Sequence, residues 1–289
     1  MVTKMLLRTA KTEDKDALFA LWESAFGDTQ ETVKTFFRLC CAPENILVAE
    51  ADGCVRAALY LLENKLQIGE NIYRAAYIYA AATEQAYRKN GLMTALLQYA
   101  AETAARRDID FLFLTPANAE LFAYYEKRGF RTAFAKQVLS VSRAQLQDAA
   151  EHGAYAESDF CAESVSRETV LQGVPHIVWS DAVLQFDSVL RKAYGVQSLC
   201  LQAGFSIFET EEDRATATEF CFLKSGFSVL AQALLQNTEA LHFTLCLPCF
   251  AALPPQFSPQ TVHTAMLNPI SVRAKAATVQ NAYLGITLG

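Results

Sequence analysis

The stretch from Tyr79 to Leu97, Tyr-Ala-Ala-Ala-Thr-Glu-Gln-Ala-Tyr-Arg-Lys-Asn-Gly-Leu-Met-Thr-Ala-Leu-Leu, carries the residues best placed to do chemistry. A strand-like run ends, a short basic loop with a glycine follows, and an amphipathic helix begins at once. A helix N-terminus presents unpaired backbone N–H groups and the positive end of a dipole. Gly91 lacks the Cβ that would hold a phosphate off, and Arg88 and Lys89 add positive charge. Together they describe an anion site suited to a pyrophosphate. The same residues also fit ordinary helix capping and solubility.

The flanking pattern says what must position this loop. Leu6 to Thr9 reads as a short strand. Thr12 can cap a helix running to about Phe26, with Leu18, Leu21, Trp22 and Phe26 at helical spacing and Gly27 as its stop. Thr32 to Cys41 is a second helical piece, ended before Pro43. Ile46 to Glu50 and Val55 to Leu62 flank Ala51-Asp52-Gly53, a hairpin signal. Tyr73 to Thr83 is a long strand. Leu92 to Arg106 is a helix with Met93, Leu96, Leu97, Ala100 and Ala104 on one face. Phe111 to Leu114 is a buried strand stopped by Pro116, Asn118 to Arg128 a helix ended by Gly129, and Val138 to Val141 a last strand. The expected order is β-α-α-β-β-β-α-β-α-β.

Residues 143–160 are polar and alanine-rich, which places a domain boundary there and gives domains of 1–145 and 146–289. The second half repeats the style. Strands are expected over Ser198 to Ala203, Phe205 to Glu209 and Ala215 to Phe222, after a helix over Ser180 to Tyr194. A helix over Phe227 to Leu235 and a strand over Leu241 to Leu247 complete it, again β-β-β-α-β.

Two motifs then meet. Arg88-Lys89-Asn90-Gly91-Leu92-Met93 resembles the Arg-x-x-Gly-x-Gly/Ala loop of the GNAT N-acetyltransferase superfamily, with Met93 in place of the last Gly or Ala. In that detail it looks like the enhanced-intracellular-survival type of GNAT protein. Downstream, Asn118-Ala-Glu-Leu-Phe-Ala-Tyr-Tyr125-Glu-Lys-Arg-Gly129-Phe130 resembles the family's Asn…Tyr-Glu-Lys-x-Gly-Phe signature. The motifs stand in the family's order with a strand between them, and the resemblance covers about residues 5–142.

The resemblance implies an α/β (α+β) GNAT fold, a mixed central sheet flanked by helices, with acetyl-CoA as co-substrate. Arg88, Lys89, Asn90, Gly91, Leu92, Met93 and Thr94 would hold the coenzyme pyrophosphate. The Tyr73 to Thr83 strand would splay from Phe111 to Leu114, with the pantetheine arm in the gap against Ala81, Ala82 and Thr83. Tyr125 would be the general acid that protonates the leaving thiolate, and Asn118 would bond the coenzyme near its pantetheine. Ordinary packing or capping remains the alternative for each. No general base is evident: the strand carries Tyr73, Tyr77 and Tyr79 where many relatives use a Glu. Glu84 at its end, a water, or the Gly289 carboxylate are the remaining choices. The second half resembles a degenerate GNAT domain: Phe222-Leu-Lys-Ser-Gly226-Phe227 stands where a pyrophosphate loop would be, with Leu223 in place of the arginine. A sterol-carrier-like domain is the alternative.

Composition narrows the class. The 289 residues are 52% hydrophobic with a formal net charge of -6, which lacks the basic footprint of a nucleic-acid binder. The longest purely apolar run, Ala75 to Ala82, is far below the roughly 18 residues of a membrane span. The N-terminus has no signal-peptide core. The chain reads as a soluble, unexported, cytoplasmic protein without a membrane partner. Its eight cysteines sit mostly in apolar strings and read as reduced core thiols. Cys246-Leu-Pro-Cys249 has no second cysteine pair or paired histidines, so no metal is expected. The expected acceptor is a small-molecule or peptide amine, with a non-catalytic acyl-CoA sensor as the alternative function. A homo-oligomer is left open.

Overall fold

The computed structural model describes residues 5–151, 165–223, 226–286 and 288. In chain order the strands are β1 (Leu6–Thr9), β2 (Ile46–Ala51), β3 (Cys54–Ile68), β4 (Asn71–Thr83), β5 (Phe111–Leu114), β6 (Arg131–Ser142), β7 (His176–Val178), β8 (Gln197–Leu201), β9 (Gly204–Glu211), β10 (Arg214–Phe222), β11 (His242–Pro248) and β12 (Gln260–Pro269). The helices are α1 (Lys15–Phe26), α2 (Gln30–Cys40), α3 (Leu92–Arg106), α4 (Ala119–Glu126), α5 (Arg143–Glu151), α6 (Arg167–Val170), α7 (Asp181–Ala193), α8 (Phe227–Gln236) and α9 (Val272–Ala276).

The strands join one mixed sheet in the order β1-β2-β3-β4-β5-β12-β6-β11-β10-β9-β8, with β7 paired to β3. Two pairs are parallel, β4 with β5 across α3 and β10 with β11 across α8. Alternation along the strands separates two faces. Val48, Ala58, Tyr60 and Tyr77 pack with Trp22 and Phe36 under α1 and α2. Ala49, Leu59, Leu61, Ala76 and Ile78 pack instead under Leu96, Leu97 and Ala100 of α3. Each such leucine stabilises the fold by roughly 1.5–3 kcal/mol when fully buried. A third core joins α5 and α8 to β6, β9, β10 and β11.

The long periodic elements stand where the sequence puts them; α3 and β5 match to the residue. Four differences have local causes. The first helix starts at Lys15, because Thr12–Asp14 is a 3-10 turn whose Asp14 accepts from Lys11 N at 2.7 Å and pairs with Arg8 at 2.6 Å. Strand β3 runs on to Ile68 because Glu63 and Lys65 point outward while Leu62, Asn64 and Leu66 are buried. Arg143–Glu151, expected as a polar linker, is a helix whose Leu146, Ala149 and Ala150 are buried against α8. Strand β12 was not legible as one. It carries ten residues of the far half into the middle of the sheet, where Met266 to Pro269 pair antiparallel with β5 and Gln260 to Leu267 with β6.

Candidate active site

Helix α3 begins at Gly91, which sits in the left-handed region at φ 82° and caps the helix without any side-chain hydrogen bond. The first helical bond is Ala95 N to Gly91 O at 3.0 Å, so the N–H groups ahead of it point out of the helix end. Nothing lies within 4 Å of where a Cβ on Gly91 would be. No acidic residue stands in the first turn. Arg88 is folded back onto the preceding strand end, its Nε donating to Thr83 O at 3.1 Å. Lys89 has a positive φ of 66°, which helps turn the chain into the helix. Lys89, Asn90 and Gly91 are exposed, whereas Leu92 is buried and Met93 half-buried against the α3 core. Their side chains serve packing, and only their backbone N–H groups face the loop. The residues present fit a phosphate-bearing group: an open, uncapped, cation-flanked helix end.

The strands next to this loop diverge. Parallel pairing of β4 with β5 runs only from Ala75–Phe111 to Tyr77–Phe113, while β4 continues to Thr83. The cause is a bulge. Between Tyr79 and Ala82 the ladder with β3 slips, with Ala58 opposite Ala82 and Tyr60 opposite Tyr79. Ala80 takes a φ of 45°, a conformation that costs a non-glycine residue roughly 1–2 kcal/mol. The divergence leaves a cavity of about 450 Å³. Its walls include Ala80 and Ala81 of β4, Thr115 just past β5, Tyr77 and Tyr79, and Tyr125 of α4. Small side chains at the bulge leave width for a narrow ligand arm. Ala82 itself is buried in the core on the α1 face, so backbone exposure and packing coexist there.

Tyr125 is 8% exposed, and its ring meets Phe130 edge-on at 5.8 Å. Burial pushes its phenol up to about 12, with neighbouring Tyr124 adding to the rise and Arg128 opposing it. The phenol therefore stays neutral and able to donate a proton. Helix α4 is tied to the start of α3: Arg128 Nη2 donates to Thr94 Oγ1 at 2.6 Å, and Thr94 Oγ1 and Tyr124 OH lie 3.2 Å apart. Arg128 also stacks on the Tyr124 ring at 3.4 Å. Asn118 caps α4, its Oδ1 accepting from Leu121 N at 3.0 Å. That leaves its amide nitrogen uncommitted to the cap.

Ala81 and Tyr125 thus share one cavity; Arg88 to Thr94 lie at the adjoining helix end; Ala82, Thr83 and Asn118 are not among the cavity walls. Glu84 is paired with Arg56 at 2.6 Å and is not among the cavity walls either. Gly289 lies outside the described residues, although Leu288 is a wall. The sequence reading missed Asp28. Among the described residues it is the only acidic side chain lining the cavity, and its Oδ2 accepts from Trp22 Nε1 at 2.8 Å. The available signal was its place just after the Gly27 helix stop, on a loop that closes over buried Trp22. Among the described residues no group of three or more His, Cys, Asp or Glu could hold a metal, and no helix is long and apolar enough to cross a membrane.

A mixed sheet whose parallel pair splays beside an open helix N-terminus defines the class of fold: a mixed α/β sheet flanked by helices, with a cavity next to an uncovered helix end. Residues 7–133 match the sequence model of the family described as Acetyltransferase (GNAT) domain. Among solved structures, a conserved protein from Enterococcus faecalis V583 superposes with a TM-score of 0.76 at 14% identity, covering 94% of this chain and 74% of that one. A GCN5-related N-acetyltransferase from Anabaena variabilis gives 0.71 at 19% identity, with the same 94% and 74% covered. Eis1 from Mycobacterium abscessus gives 0.71 at 12%, again over 94% and 74%. At these identities the likeness is one of fold, and it extends over nearly the whole chain. No curated protein sequence matches it.

Proposed function

We propose that the protein transfers the acetyl group of acetyl-CoA to a primary amine by direct attack. The observation that carries this is the β4–β5 gap, whose cavity brings Ala80 and Ala81 of the diverging strand to the buried phenol of Tyr125. Arg88, Lys89, Asn90 and the N–H groups of Gly91 to Thr94 hold the pyrophosphate. Backbone groups of Ala81 to Thr83, left unpaired on the β5 side, hold the pantetheine arm, with Asn118 at its end. The amine nitrogen attacks the thioester carbonyl carbon, the carbon–sulfur bond breaks, and the departing sulfur takes the Tyr125 proton. Asp28 draws the acceptor's ammonium into the cavity and receives the proton it must lose. In this reading residues 1–145 carry the coenzyme and residues 146–289 shape the acceptor side, and the protein works in the cytoplasm on a small-molecule or peptide amine.

The test is release of free coenzyme thiol from acetyl-CoA with a panel of primary amines. Turnover with primary but not tertiary amines is expected. If no amine accelerates release while acetyl-CoA still raises the melting temperature, the chain is an acyl-CoA sensor and the transfer reading fails. With an active amine in hand, Asp28→Asn should raise the KM for that amine about tenfold, the scale of one hydrogen bond to a charged group, and leave the acetyl-CoA KM unchanged.

A further inference from the structure

The Tyr125 cavity takes its walls from both faces of the sheet. Ile78, Leu114 and Tyr125 belong to the core under α3, and Trp22 and Tyr77 to the core under α1 and α2, where Tyr79 packs against them. With the coenzyme arm on the Tyr125 side, the part left for an acceptor is the aromatic one. Its rings form a cluster: Trp22 meets Tyr79 edge-on at 5.7 Å and Phe26 edge-on at 5.6 Å, and Tyr77 and Tyr79 lie 5.7 Å apart. Phe26, the last residue of α1, is 46% exposed although it is a large apolar ring, and it forms part of the wall.

Charge on these walls is restricted. Among the described residues they carry one acidic side chain, Asp28, and no lysine, arginine or histidine. Asp28 is half-buried, and its Oδ2 is committed to Trp22 Nε1 at 2.8 Å, which leaves Oδ1 for one further donor. Burial pushes the Tyr79 phenol up, with Tyr77 and Asp28 adding to the rise, so it supplies no second anion. Tyr77 OH donates to Thr115 Oγ1 at 3.3 Å, so two of the few wall hydroxyls bond each other. One ammonium is therefore balanced. A second would lack a partner, and a carboxylate would face Asp28 with no cation beside it. The aromatic walls favour a ring, which can sit edge-on or offset against them.

On the reading that the chain transfers acetyl groups, we propose that its acceptor is an arylalkyl monoamine, with the single ammonium on Asp28 and the ring against Phe26, Trp22 and Tyr79. Diamines, amino acids and amino sugars are poor acceptors, because they bring charges or hydroxyls that these walls do not pair.

Calorimetric titration of the full chain in the presence of coenzyme A tests this, with phenethylamine, ethylamine, diaminobutane and phenylalanine as ligands. Phenethylamine should bind about tenfold more tightly, or better, than each of the other three. Phe26→Ala should cut its advantage over ethylamine about threefold or more. If that variant does not fold, the ligand series on the unaltered chain decides. Thiol release from acetyl-CoA is followed with the same amines. A phenethylamine preference in binding without release leaves the amine site standing and removes the transfer reading. Release that is as fast with ethylamine or diaminobutane does the reverse. The proposal is overturned by absence of phenethylamine binding, by equal or tighter binding of any of the other three, or by an unchanged preference in folded Phe26→Ala.

Discussion

The molecule contains the same crossover twice, and only one copy is open. In each, a three-stranded antiparallel run ends in a bulged strand, a glycine loop, a helix and a parallel partner: β2-β3-β4-α3-β5 and β8-β9-β10-α8-β11. In each, parallel pairing is confined to a few residues, Ala75 to Tyr77 in the first and Arg214 to Ala217 in the second. The helix ends differ. Gly91 is exposed at φ 82° with nothing around it, whereas Gly226 is at φ −78° and a Cβ there would collide with the carbonyl of Ala203 in the β8–β9 turn. Leu223 N donates to that same carbonyl at 2.8 Å. Eight residues of α8 are buried, including all of its first turn, while α3 leaves Thr94 at the surface. Beyond its last paired residue, β10 is closed off by Glu219 and Cys221 packed with Arg167 and Tyr283. A shared topology supplies the helix end; whether it can bind an anion depends on what the neighbouring turn places in front of it.

The comparison can be broken at several points. The largest effect is expected at Tyr125, which has no counterpart in the second crossover. Tyr125→Phe should lower kcat by about 10²-fold or more, the scale of one general acid, with the acetyl-CoA KM held; steady-state kinetics on a folded preparation measures it, and an unchanged kcat would remove the assigned role. Next comes the pair of glycines. Gly226→Val should destabilise the chain by about 1–3 kcal/mol in urea unfolding through overpacking, and leave the acetyl-CoA KM alone. Gly91→Val meets no neighbour, so its stability loss should be confined to left-handed backbone strain, roughly 1–2 kcal/mol, while the acetyl-CoA KM rises. If both variants shift stability alone, the open helix end is not a ligand site. Arg88→Ala should raise the acetyl-CoA KM about tenfold, with the effect shrinking as salt is added. The smallest expected effect is one of pH. Burial raises the Tyr125 pKa to about 12, so the phenol stays protonated and kcat should show no Tyr125-dependent fall between about pH 7 and 10. Because the folded pKa lies above the unfolded one, the stabilising contribution of that neutral phenol is present below pH 10 and is lost as pH rises toward 12.

Much of the first crossover was readable beforehand because its signals are local. The period of Leu92 to Arg106, the Asp52-Gly53 turn and the Gly129 stop each act over a few residues. The glycine turn into α3 was legible for the same reason. Asp28 and β12 were not. Asp28 matters only because α1 and the turn at Gly27 carry it to the rim of a cavity formed by β4 and α4. Strand β12, Gln-Thr-Val-His-Thr-Ala-Met-Leu-Asn-Pro, has a weak alternation; it is a strand because β5 and β6 leave a slot for it.

The order of residues alone determined that a strand, a glycine turn and a helix with a free N-terminus would occur, since periodicity, backbone freedom at glycine and the helix dipole are properties of neighbouring residues. It also determined that Tyr125 would follow on a short helix begun by Asn118. Only the tertiary structure decided that β4 parts from β5 beside that tyrosine, that Asp28 reaches the same cavity, and that Ala203 shuts the second helix end. Those are contacts between segments distant in sequence, fixed by how whole elements pack, and no short stretch of the chain encodes them.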